Sequence, residues 1–198
     1  LDLCADALAA IDLRRHAGAH PRIGAVDVVP FVPLGTTPMA EAVAAARATG
    51  EAVARRFGVP VLLYGAAATA PHRGRLEQVR RGRFEGLTEK LRQPEWRPDF
   101  GPDAPHPSFG AIAIGARPVL VAFNINLATR RLDIGRAVAA AVRASSGGLP
   151  HVKAMALLLA DRGLVQVSMN LTMVDETPMD VVFEAVAREA ARHGVAVA

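Results

Sequence analysis

The chain has 198 residues, 51% hydrophobic and 21% charged, with 5% aromatics and one cysteine; this composition excludes a disordered segment and a disulfide-stapled module. The length is enough for one large domain or two small ones with a true core. Net charge is only +4, from 23 Lys+Arg against 19 Asp+Glu, and no apolar run approaches the roughly 20 residues that span a bilayer, which excludes a membrane protein.

The opening stretch LDLCADALAAIDL sets Leu1, Cys4, Leu8 and Ile11 on one helical face. Asp2 and Asp6 argue against a secretory signal, and the lone Cys4 agrees with a cytoplasmic protein. The helix has no cap in front and no initiating Met, so the expectation is a piece of a longer chain. Residues 24–34 then read as a strand, and Pro38 opens a long amphipathic helix over 39–57 that Gly58 ends. Residues 59–65 (VPVLLYG) form a short buried strand. An Arg-rich segment to residue 92 follows, read as two short helices broken near Gly82. In residues 93–109, Pro94, Pro98, Pro102, Pro105 and Pro107 with Gly101 argue against both helix and strand, leaving a long stiff loop of the kind that often binds ligands.

From residue 109 the pattern is more regular. FGAIAIG is a strand and turn, residues 117–127 a strand, 133–144 a helix, and 152–160 with 164–172 a hairpin closed by the DRG turn. Pro178 leads a last helix to residue 193, and VAVA begins another strand. From Arg117 the order is therefore β-α-β-β-α-β, the split pattern of a ferredoxin-like unit, and the fold class is α+β. Alternation puts Asn124 and Asn126 on one face of the first strand and Gln166, Ser168, Asn170 and Thr172 on one face of the third. Those two strands are expected side by side, merging the stripes into a polar face. That face is either the solvated side of an antiparallel sheet or a hydrogen-bonding floor for a ligand or a second domain.

Chemistry concentrates in HAGAHPRIGAVDVVPFVP, residues 16–33. His16 and His20 stand four apart, as in a helical metal pair, but Gly18 and Pro21 argue against a helix and no third ligand is near, so no metal is expected. His20 precedes Pro21 and is confined to extended backbone. An imidazole there is either structural or a proton carrier near neutral pH. Asp27 lies in an otherwise apolar strand, with Arg22 as the nearest candidate partner. Arg73, Arg75, Arg80, Arg81 and Arg83 form the one dense basic patch, either a solvated helix face or a surface for an anion. One Tyr and one Trp leave few aromatic platforms for nucleic acid, and no nucleic-acid partner is expected.

The pattern H-x-G-x-H-P-R-x-G-A-x-D-V-x-P-F-x-P is similar to the signature of the glutamate formimidoyltransferase (formiminotransferase) family, folate enzymes of histidine breakdown. Collinear matches follow: VPVLLYG at Val59, R-G-x-[FY]-E-G-L at Arg81, PDFGP at Pro98, GAR at Gly115, VAFNINL at Val121 and QVSMNL at Gln166. The resemblance covers essentially the whole chain. It implies transfer of a formimidoyl group from N-formimidoyl-L-glutamate to tetrahydrofolate as co-substrate, giving 5-formimidoyltetrahydrofolate and L-glutamate. The family's catalytic histidine falls on His20. Its folate-binding segment falls on Gly101, Pro102, Asp103, Ala104, Pro105, His106, Pro107, Ser108, Phe109 and Gly110.

The resemblance also implies two ferredoxin-like subdomains enclosing a folate tunnel: residues 1–116, lacking the first strands, and 117–198, cut at the C-terminal end. It implies a homodimer as well, with small-molecule substrates and no metal. No cyclodeaminase domain is visible in the sequence, and the Arg73 to Arg83 patch is a candidate for attracting the glutamate tail of folate. Two alternatives stay open, a homologue that handles the formyl group of 5-formyltetrahydrofolate and a folate-binding protein without turnover.

Overall fold

Apolar residues on both faces of two short runs dictate how the first half of the chain folds. The computed structural model describes residues 1–198 except Ala17 and Ala19, and the chain divides into two units, Leu1–Pro118 and Val119–Ala198. In the first unit β1 (Val28–Phe31), β2 (Val61–Gly65) and β3 (Ile112–Ala116) form a sheet of order β1-β3-β2. All three strands are parallel. Every residue of β3 and four of the five in β2 are buried, as expected where a parallel sheet is covered on both sides.

One face carries Val61, Leu63, Ile112 and Ile114 against α2 (Met39–Phe57), which contributes Ala42, Ala46 and Val53, and against Cys4 and Ala7 of α1 (Asp2–Ala10). The other face carries Leu62, Tyr64 and Ala113 against Val79 of α3 (Leu76–Val79) and Leu87 and Leu91 of α4 (Leu87–Leu91). Small residues on α2 let it lie close to the sheet, and Gly58, at φ +62°, ends it.

Two sequence expectations change here. The strand expected over 24–34 is only Val28–Phe31. Asp27 Oδ1 accepts the Ile23 N–H at 2.7 Å and closes a turn, while Gly24 bridges to Gly110. The Pro-rich loop contains one 3-10 turn, Pro94–Trp96, with Pro at its first position, where a missing N–H costs nothing. The expected pair of short helices is present as α3 and α4, separated at Gly82, whose φ is +90°.

The second unit holds β4 (Val121–Leu127), α5 (Leu132–Val142), β5 (Val152–Leu159), β6 (Leu164–Leu171) and α6 (Met179–Arg192). Its sheet is antiparallel with order β4-β6-β5. Ile125, Leu127, Val167, Met169 and Leu171 point to one side and pack on Ile134, Val138, Val182 and Val186 of the two helices. The register sets Asn124 opposite Ser168 and Asn126 opposite Gln166. Gln166 Nε2 donates to Asn126 Oδ1 at 3.0 Å, so the two polar stripes do form one face.

The first strand of this unit starts at Val121, not Arg117, because Pro118 has no N–H for a ladder. The C-terminal VAVA makes a single bridge, Leu127 to Val197, and no strand. One parallel and one antiparallel sheet, each with its own helices, make the chain α+β. Among the described residues, no helix is long and apolar enough to cross a membrane.

Candidate functional site

Three stretches far apart in sequence meet around one cleft of about 390 Å³ in the first unit. Leu13, Arg14 and His16 form one side, Phe84, Glu85 and Thr88 a second, and Pro105, His106 and Pro107 the third. They belong to the histidine-rich signature and its approach, the Arg81 to Leu87 motif and the Pro-stiffened loop.

The loop wall is held by main-chain bonds. His106 N–H donates to the Gly110 carbonyl and Gly110 N–H returns the bond to His106, both at 2.8 Å. Inside this ring the Phe109 N–H donates to His106 Nδ1 at 3.2 Å, which leaves the proton of the neutral imidazole on Nε2. Phe109 is fully buried, and its carbonyl accepts the Ala25 N–H while the Ser108 carbonyl accepts that of Leu13. Gly110 has φ +83°, and a Cβ there would stand 2.1 Å from the Ile23 carbonyl oxygen, so only glycine fits.

The rest of the expected folate segment lies elsewhere. Gly101 borders a separate hollow of about 240 Å³ beside Glu51, Ala54, Arg55 and Phe100. Pro102, Asp103 and Ala104 are exposed, with Asp103 4.0 Å from Arg97.

The base of the loop is anchored by a buried ion pair that the sequence reading missed. Arg73 Nη1 lies 2.6 Å from Asp99 Oδ2, with side-chain exposures of 5% and 7%. Asp99 also accepts the Leu63 N–H at 2.7 Å and the Thr69 hydroxyl, and Arg73 donates to the carbonyls of Glu95 and Arg97. The Asp of the PDF triplet thus ties β2, the turn after it and the loop together. A buried Lys90 does the same for the second wall. Its Nζ donates to the carbonyls of Gln78 and Val79 at 2.7 Å and of Arg81 at 3.0 Å, and lies 3.7 Å from the Trp96 ring centroid. Burial, then the neighbouring Arg81 and Arg73, lowers its pKa to about 8.

The histidine segment is arranged differently from the sequence expectation. Arg22 does not pair with Asp27: Arg80 reaches that carboxylate from α3's C-terminal end, while Asp27 caps the Ile23 N–H. Arg22 turns to Glu85, Nη1 to Oε1 at 3.0 Å, donates from Nη2 to the His16 carbonyl at 2.7 Å, and lies 5.9 Å from the Phe84 ring centroid. A bond from its own backbone N–H, and then the Arg22 guanidinium, hold the Glu85 carboxyl below the usual range. His16 lines the cleft. His20 is exposed and is not part of the cleft lining.

The basic patch also dissolves as a single surface. Arg73 is buried in its ion pair and Arg80 is engaged by Asp27, leaving Arg75, Arg81 and Arg83 exposed. Among the described residues, no group of three or more His, Cys, Asp or Glu stands close enough to hold a metal ion.

Comparison with known proteins matches residues 1–117 to the formiminotransferase domain, N-terminal subdomain, and residues 122–198 to the formiminotransferase domain. The chain is 43% identical over 185 residues to a glutamate formimidoyltransferase of Streptococcus pyogenes, covering 93% of this chain and 62% of that protein. It is 46% identical over 187 residues to one of Thermoplasma acidophilum, covering 93% and 61%. Against the formimidoyltransferase-cyclodeaminase of Sus scrofa it is 46% identical over 186 residues, covering 91% of this chain and 34% of that protein.

Proposed function

The chain belongs to the formiminotransferase domain family, and on that premise we propose that the protein it represents transfers a formimidoyl group from N-formimidoyl-L-glutamate to tetrahydrofolate. It spans 62% and 61% of the two glutamate formimidoyltransferases above, so this activity is assigned to the complete protein. The observation that carries the proposal is convergence: the histidine signature, the Arg81 to Leu87 motif and the loop 101–110, separate in sequence, wall one cleft.

In this reading an amine of the reduced pterin attacks the amidine carbon, a tetrahedral intermediate forms, and the glutamate amine leaves with a proton. His20 takes the proton from the attacking amine and returns it to the leaving one, a task suited to an imidazole. The loop 101–110 binds the folate, its proline residues and the 106–110 ring keeping the acceptor oriented before reaction. The Nε2–H of His106 is a ready hydrogen-bond donor to it. Neither a covalent nucleophile nor a metal enters these steps.

The second unit, divided from the first near residue 117 and antiparallel in the order β4-β6-β5, is taken as a ferredoxin-like split β-α-β subdomain with its polar face as a hydrogen-bonding floor, whereas the all-parallel sheet of the first unit does not carry the ferredoxin-like pattern expected of it. The complete protein is taken as a homodimer of the cytoplasm, a setting that suits the single buried Cys4.

A second reading has a specific observation in its favour. His16, not His20, lines the cleft, so His16 is the other candidate proton carrier. The test is formation of 5-formimidoyltetrahydrofolate by the complete protein from both substrates, with His20→Ala and His16→Ala compared. Loss of transfer in His20→Ala with His16→Ala active supports the first assignment, and the reverse supports the second. A wild-type protein that binds tetrahydrofolate but moves only a formyl group, or no group, overturns the proposed reaction.

A further inference from the structure

We propose that Arg22 is a positioning residue that straps the histidine-bearing segment 16–20 to the wall of the cleft. The proposal rests on the reading that an imidazole of this segment carries the proton. His16, Gly18 and His20 lie outside helix and strand, and a catalytic group so placed needs external support. Arg22 supplies it from one guanidinium.

One end of that guanidinium is fixed by Glu85, 63 residues away, at 3.0 Å, with the Phe84 ring 5.9 Å from its centre. The other end donates to the main-chain carbonyl of His16 at 2.7 Å. The segment is thereby closed into a ring: the chain runs from His16 through His20 and Pro21 to Arg22, whose side chain returns to His16. Only 12% of the Arg22 side chain is exposed against 61% for Glu85, so the strap is anchored within the fold and its carboxylate partner is presented at the cleft. A fork of planar donors serves both partners at once, and a lysine, with one ammonium on a flexible stem, does not reproduce that geometry.

This assigns the arginine of H-P-R and the glutamate of the R-G-x-F-E-G-L motif to one device, and explains why the two motifs face each other.

The test is made on the complete protein with Arg22→Lys, Arg22→Ala and Glu85→Gln. Displacement of the imidazole by about 1 Å is expected to cost on the order of 10²-fold in kcat, with KM for both substrates unchanged and the variants still folded at the assay temperature. Added guanidinium is expected to restore part of the kcat of Arg22→Ala and none of that of His20→Ala. The ring signals of His16 and His20 in NMR spectra are expected to shift and broaden in Arg22→Ala, while those of His72, His106, His151 and His193 stay in place. Unchanged His16 and His20 signals overturn the strap, as does a kcat loss that guanidinium cannot restore in a folded variant. A wild-type protein that transfers no formimidoyl group fails the functional reading instead, and the histidine signals then decide the strap alone.

Discussion

Replacing Asp99 by Ala is the most severe test of how the Pro-rich loop is held. The carboxylate is 7% exposed, lies 2.6 Å from the Arg73 guanidinium, and also accepts the Leu63 N–H and the Thr69 hydroxyl. Removing it leaves a cation that is itself 5% exposed without its partner, together with a strand N–H that loses its acceptor. Breaking a buried pair in this way costs about 3–5 kcal/mol. At roughly 4 °C per kcal/mol for a unit of this size, melting is expected to fall by about 12–20 °C. Asp99→Asn keeps the shape and loses the charge, and should fall between wild type and Ala. Combined with Arg73→Met in a double-mutant cycle, it should show coupling near the top of the range of about 0.5–3 kcal/mol for contacting residues. The assay is urea unfolding followed by fluorescence of Trp96, the chain's one tryptophan, whose ring centroid lies 5.9 Å from the Arg73 guanidinium. A cost for Asp99→Ala below about 1 kcal/mol, the value of an exposed pair, refutes the reasoning.

Other expectations follow from single residues. Native Lys90 gives up its proton at about 8, whereas in the unfolded chain it holds it to 10.5. Between those values unfolding takes up a proton, so rising pH favours the folded state at this locus. Comparing wild type with Lys90→Met from pH 7 to 10.5 should show this rise only in the wild type, and equal pH profiles count against it. Arg83 is exposed with φ +57°, a conformation that costs a non-glycine residue roughly 1–2 kcal/mol. The extra freedom glycine has when unfolded offsets about 0.4–1 kcal/mol of that, so Arg83→Gly should be stabilising by between about 0 and 1.6 kcal/mol in denaturant titration. Gly110→Ala places a Cβ 2.1 Å from the Ile23 carbonyl oxygen and should cost at least about 2 kcal/mol. Hydrogen exchange should then show protection lost at the Ala25 and Ala111 amides, which bond across this point to Phe109 and Ile23.

Local signals made most of the elements readable. Pro38 and Gly58 bound α2 where their backbone preferences require, and the structure ends the helix at the same residues. The alternation of Asn124 and Asn126 against Gln166 and Ser168 was enough to foresee the polar face, because side-chain period in a strand is fixed at two and the hairpin sets the register. Strand ends were less readable, since Asp27 folds back on Ile23 and Pro118 withholds a donor, and neither effect appears in an apolar pattern. The candidate site was legible as motifs and not as geometry. The three walls of the cleft are separate in sequence, and only the packing of α3, α4 and the loop against one sheet face brings them together. Partner choice among charges was beyond the sequence altogether. Arg22 stands nearer than Arg80 to Asp27 along the chain, yet the turn at 23–27 points the carboxylate toward α3's C-terminal end and leaves Arg22 for Glu85.

That exchange of partners bears on what the basic residues are for. Arg22, Arg73, Arg80 and Lys90 all turn inward, and each ties down an irregular segment: Arg22 the histidine stretch, Arg73 the root of the Pro-rich loop, Arg80 the turn before β1, Lys90 the end of α3. Such segments carry main-chain carbonyls that no helix or sheet can satisfy, and a buried carbonyl without a donor is costly. A long cationic side chain supplies several donors at once and reaches across a loop that has no ladder of its own. Three of these four cations also meet a carboxylate, Glu85, Asp99 or Asp27, so the charge is balanced where it is buried. These three arginines and the lysine therefore serve the loops of the chain. A cleft built from three such stretches keeps its shape only if something of this kind fixes them to the sheet, and the place of His16 in the cleft lining inherits its accuracy from those bonds.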